Sequence, residues 1–108
     1  MNFKYQDGHG PMTFSETRYI AQDNIIDCDL GGERALLNLK SNDYFTMNGT
    51  ASTIWLSLKE PRSMDDLIDA VTEKFDVAAD LCRPDVQRLL AEMLKAGIID
   101  TVTVDAQV

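Results

Sequence analysis

At Asn48 the spacing of apolar residues changes from every second position to every third or fourth, and that switch divides the chain into a β half and an α half. The order of elements points to an α+β domain. Before the switch, Ile25–Leu30 alternates, with Ile26, Cys28 and Leu30 on one side and Asp27 and Asp29 on the other, as a half-buried strand requires. Gly31-Gly32 permits a tight reversal. Arg34–Leu39 alternates again, with Ala35, Leu37 and Leu39 expected inward, and the polar run Lys40-Ser41-Asn42-Asp43 supplies the next turn. A third strand is expected at Tyr44–Asn48, with Phe45 and Met47 on one face and Tyr44 and Thr46 on the other. The three read as an antiparallel meander with one apolar side.

After the switch, Asn48 or Thr50 caps a helix whose Ala51, Ile54, Trp55 and Leu58 fall at i, i+3, i+4 and i+7, and Pro61 stops it. Ser63, with Asp66 three residues on, opens a second helix that buries Leu67, Ile68, Val71 and Phe75 and turns Asp65, Asp69 and Glu73 to water. In the third, Pro84 is expected in the first turn, Val86, Leu89, Leu90, Met93 and Leu94 form the stripe, and Gly97 sits where a left-handed cap belongs. The remainder is less regular. Residues 1–16, with Gly8, Gly10 and Pro11, read as a flexible arm, Thr17–Ala21 and Ile98–Val104 as short strands, and 105–108 as a tail. A single domain over 17–104 is expected, since 108 residues suit one core.

Charge and residue inventory exclude several functions. Eighteen acids against ten bases give a net charge of -8, and the bases are spread along the whole chain, which disfavours a nucleic-acid phosphate backbone. His9 is the only histidine and falls in the loose arm, while Cys28 and Cys82 are too distant for a zinc-finger spacing and read as small core hydrophobes. Asp65, Asp66 and Asp69 lie at the start of a helix, where carboxylates suit the dipole without any metal. The expectation is therefore no enzyme, no catalytic set, no metal and no cofactor. The polar start Met-Asn-Phe-Lys-Tyr-Gln-Asp and the lack of a long apolar run lead to the expectation of a cytoplasmic protein away from membranes.

What remains is an interaction surface. In a meander the middle strand pairs on both sides, which leaves Tyr44–Asn48 with an open row of backbone donors and acceptors, and it carries neither lysine nor proline to block pairing. An extended peptide can add there as a further strand, with the third helix as the other wall. Leu89 and Leu94 read chiefly as core, whereas Val86, Leu90 and Met93 suit both core and groove.

The run Ala35-Leu36-Leu37-Asn38-Leu39, then Asp43-Tyr44-Phe45-Thr46-Met47-Asn48, Gly49-Thr50-Ala51 and Ile54-Trp55 resembles the PqqD-like proteins, the RiPP recognition elements that serve ribosomally made peptides. Pro61 through Ile68, and Asp85-Val86 through Gly97-Ile98-Ile99, resemble that family's second and third helices. One departure is Asn48-Gly49-Thr50-Ala51 in place of Asn-x-Thr-Gly-Ala. The resemblance implies a winged-helix-like fold, with a three-stranded antiparallel sheet packed on a three-helix bundle. It also implies a non-catalytic adaptor that binds the leader segment of a precursor peptide by strand addition and presents it to a maturation enzyme.

Mapped onto this sequence, the peptide-binding residues are Tyr44, Phe45, Thr46, Met47 and Asn48 on the strand and Asp85, Val86, Leu89, Leu90 and Met93 on the helix. The Ile54-Trp55 pair looks most like lasso-peptide members, whose partner is a leader peptidase. A chaperone for a radical enzyme in pyrroloquinoline quinone synthesis and a winged-helix transcription regulator are the alternatives. Met93→Glu is expected to weaken binding and leave the fold intact, acids such as Asp85 or Glu92 to meet basic groups of a partner, and the chain to be a monomer or weak dimer.

Overall fold

The computed structural model describes residues 13–107. Five strands and three helices follow in the order β1 (Thr13–Ala21), β2 (Ile25–Asp29), β3 (Arg34–Asn38), β4 (Tyr44–Met47), α1 (Gly49–Ser57), α2 (Met64–Phe75), α3 (Ala79–Lys95) and β5 (Ile99–Gln107). The meander is present as an antiparallel sheet in the order β2-β3-β4, and β1 pairs with β5 along their whole length as a separate two-stranded ribbon. Thr13–Glu16 and Asp105–Gln107, read from the sequence as arm and tail, belong to that ribbon. Local alternation cannot reveal a pairing between the two ends of a chain. His9 and the rest of residues 1–12 lie outside the described residues.

The helices form for the reasons the sequence supplies. Asn48 caps α1, its Oδ1 accepting from the Ala51 N–H at 3.0 Å. Ser63 and Asp66 make a reciprocal capping box at α2, with bonds of 3.1 and 3.0 Å. Helix α3 starts one turn earlier than its proline implied, so Pro84 stands inside it rather than in the first turn. Gly97 ends it at φ 74°.

One core joins the meander to all three helices: Leu36 and Met47 from the sheet, Ile54, Trp55 and Leu58 from α1, Leu67, Ile68 and Val71 from α2, and Cys82, Val86, Leu90 and Met93 from α3. The facing of β2 is the reverse of the expected one, and β3 buries Leu36 as well as the expected Ala35. Leu36 is fully buried, whereas Ile26, Leu30 and Leu39 are about half exposed and Cys28 lies at the surface. Asp27 turns inward instead, where its carboxylate accepts from the Trp55 indole N–H at 2.8 Å and from Arg34 at 2.6 Å, with the Lys59 ammonium 3.6 Å away. A buried tryptophan needs a partner for its N–H, and Asp27 supplies it. Phe75 and Leu94, expected in the core, are each more than one-third exposed.

Two carboxyls depend on this packing. Burial pushes Asp27 upward, but Trp55, Arg34 and Lys59 together outweigh it and hold the carboxyl below the usual value. The Ser63 backbone N–H, helped by the serine hydroxyl and by Arg18 and Arg62, lowers Asp66 against a smaller desolvation effect. Depressed folded-state values mean that the unfolded chain takes up protons first. Stability is therefore at its full level above about pH 4, the usual carboxylate range, and falls as pH drops through it toward the lowered folded values. Urea midpoints measured from pH 7 to pH 3 check this, and a flat profile is the contrary result.

A candidate peptide-binding edge and groove

Antiparallel pairing decides which backbone groups of β4 are available. The Asn38 N–H donates to the Asp43 carbonyl at 2.9 Å, a single bond at the turn that sets the phase of the ladder: Asn38 and Asp43 stand at a bonded position. Bonded pairs recur every second residue, and the register Leu36↔Phe45 and Arg34↔Met47 continues the series. The N–H and C=O groups of Tyr44 and Thr46 consequently point away from β3, along the sheet's edge. They form a template for two residues of an added strand.

Beside that edge runs α3. Phe45, Thr46, Met47, Ala51, Leu89, Glu92, Met93, Ala96 and Ile98 line a cavity of about 210 Å³. A second cavity of about 380 Å³ continues it toward the start of α3, between Thr46, Asn48 and Thr50 on one side and Asp85, Arg88, Leu89 and Glu92 on the other. The first is chiefly apolar and the second charged. Arg88 donates to Asp85 at 3.0 Å, with both side chains two-thirds exposed, so the pair is weakly held.

Eight of the ten expected site residues lie at this place, in different roles. Phe45, Thr46, Met47, Asn48, Asp85, Leu89 and Met93 line the groove, and Tyr44 presents its backbone to the edge while its side chain, 64% exposed, stands on the sheet's opposite face with Ile26 and Leu37. Val86 and Leu90 do not reach it. They are 1% exposed and point into the shared core, on the side of α3 that packs toward α2. Leu89, read as chiefly core, is half-buried and lines both cavities. Met93 is only 2% exposed, so a glutamate there would bury a charge and threaten the fold, contrary to expectation.

The sequence reading missed Asn38, which holds strand and helix together. Its side chain is buried, with Nδ2 donating to the carbonyls of Ala96 (3.2 Å) and Gly97 (3.4 Å) and Oδ1 accepting from Asn24 (2.9 Å) and the Lys40 N–H (2.9 Å). A polar residue in the middle of the run Ala35–Leu39 was the available signal. Asn38→Ala is expected to cost about 2 kcal/mol, since it strands buried partners, and to loosen the end of α3 in hydrogen exchange. An unchanged exchange rate at Ala96–Ile98 would contradict this role.

An α+β domain with an open sheet edge beside a helix is thus defined. The profile of the family described as coenzyme PQQ synthesis protein D (PqqD) matches residues 33–99, well over half of the chain, and the chain belongs to that family. The match spans β3 to the first residue of β5 and leaves β1 and β2 outside. Two solved structures share the fold. One is TbiB1 in complex with the TbiA(beta) leader peptide (TM-score 0.69, 21% identity, 75% of this chain and 94% of that one). The other is a lasso peptide synthetase B1 complexed with the leader peptide (TM-score 0.65, 21% identity, 76% and 96%). Comparison with curated proteins gives no match.

Among the described residues no helix is long and apolar enough to cross a membrane, and no group of three or more His, Cys, Asp or Glu side chains is placed to hold a metal ion.

Proposed function

We propose that this protein is a non-catalytic adaptor that binds the leader segment of a ribosomally made precursor peptide as a strand on the β4 edge and presents the rest of the peptide to a maturation enzyme. The observation that carries the reading is the pair of outward backbone positions, Tyr44 and Thr46, set directly beside a groove lined by α3. Main-chain bonds then supply affinity, and the groove reads every second side chain. Membership of the PqqD family and the leader-peptide complexes among proteins of the same fold support it.

Within this reading the fold is winged-helix-like, and the partner enzyme is a lasso-type leader peptidase. The adaptor works in the cytoplasm as a monomer or weak dimer, without metal or cofactor. Titration calorimetry with the leader peptide encoded beside this gene is expected to give saturable one-to-one binding. Absence of heat at tens of micromolar peptide would overturn the reading.

A further inference from the structure

The groove has two chemically different halves that share one wall. Toward the end of α3 it is apolar, with Phe45, Met93, Ala96 and Ile98, and toward the start it carries Asp85, Arg88 and Glu92. Leu89 and Glu92 line both halves, so Glu92 stands at the junction. Two carboxylates against one guanidinium leave this part of the groove negative. Arg88 is already drawn to Asp85, and among the described residues no basic side chain lies within ion-pair distance of Glu92. The chain's net charge of -8 adds a long-range field of the same sign.

A strand laid on β4 places side chains of one face about 7 Å apart, each beside the β4 residue it opposes. The peptide residue opposite Phe45 therefore points into the apolar half. The residue two positions away, opposite Met47, comes alongside Leu89 and Glu92.

Resting on the peptide-binding reading above, the geometry points to a specificity rule: the groove selects an extended peptide that carries an apolar residue and, two positions from it toward the Met47 end, a lysine or arginine. Leu89 packs on the aliphatic stem of that side chain, and Glu92 pairs with its charged head, with Asp85 in reach of a longer arginine. An acidic peptide residue at this position meets two carboxylates and has only Arg88 as partner.

The test is selection from a displayed library of random peptides on the full chain, followed by fluorescence anisotropy and amide shift mapping of the selected peptides. Peptides that shift the Tyr44 and Thr46 amides are expected to carry Lys or Arg two positions from an apolar residue. Changing that residue to glutamate should weaken binding about fivefold, the size of a partly exposed ion pair. Glu92→Lys should reverse the order of the two peptides. The inference is overturned, with the groove left standing, if selected peptides shift those amides but show no basic preference, or if Glu92→Lys leaves their ranking unchanged. Peptides that bind without moving Tyr44 or Thr46 overturn the edge reading and this rule together.

Discussion

Leu89→Glu is expected to lower leader-peptide affinity by about thirtyfold or more while leaving the thermal midpoint within a few degrees of the wild type. Leu89 contributes to both halves of the groove yet is only half-buried, so the glutamate can reach water when the peptide is absent. With the peptide bound, the apolar contact is lost and a carboxylate is placed beside Glu92 in a closing groove. Loss of one well-buried aliphatic side chain alone is worth about 2 kcal/mol, which is the thirtyfold. Calorimetry on the folded variant checks it. Undiminished affinity would mean that the peptide does not lie between β4 and α3.

The largest effect on stability is expected at Asp27. Asp27→Ala removes one carboxylate that serves the Trp55 indole and the Arg34 guanidinium: the indole N–H loses its acceptor and Arg34 keeps only Asp29, 4.0 Å away, in a region where the Asp27 and Arg34 side chains are less than one-fifth exposed. Breaking a buried pair from one side costs about 3 kcal/mol or more, a large share of a small domain's stability. Lys59, 5.2 Å above the Trp55 ring, loses its carboxylate partner as well. Trp55→Phe in the Asp27→Ala background should cost less than in the wild type, because the N–H it removes is already unpaired. Equal costs in the two backgrounds, measured by urea unfolding, would separate Trp55 from Asp27 energetically.

The same residues explain what the sequence could and could not disclose. Helix entries were legible because Asn48 and the Ser63–Asp66 box act within four residues of themselves. The β4 edge was legible too, since a meander leaves its last strand half-paired whatever the tertiary packing. Facing in β2 and β3 was not. Each strand holds an apolar doublet, Ile25-Ile26 and Leu36-Leu37, so a period of two fits with either member inward. The choice was made by a residue far along the chain, Trp55, whose N–H needs a buried acceptor and finds it in Asp27. For α3 the difficulty was width: five apolar positions span more than one face, and only tertiary packing into the shared core decides that Val86 and Leu90 go inward while Leu89 meets the groove. The β1–β5 ribbon joins the two ends of the chain, where weak alternation carried no sign of a partner.

Amide hydrogen exchange with and without a saturating leader peptide tests strand addition at the β4 edge most directly. Slowed exchange at Tyr44 and Thr46, whose N–H groups point out along the edge, is the expected result. Saturating peptide that leaves both amides exchanging as in the free protein, or that slows only the β1–β5 ribbon, would contradict it.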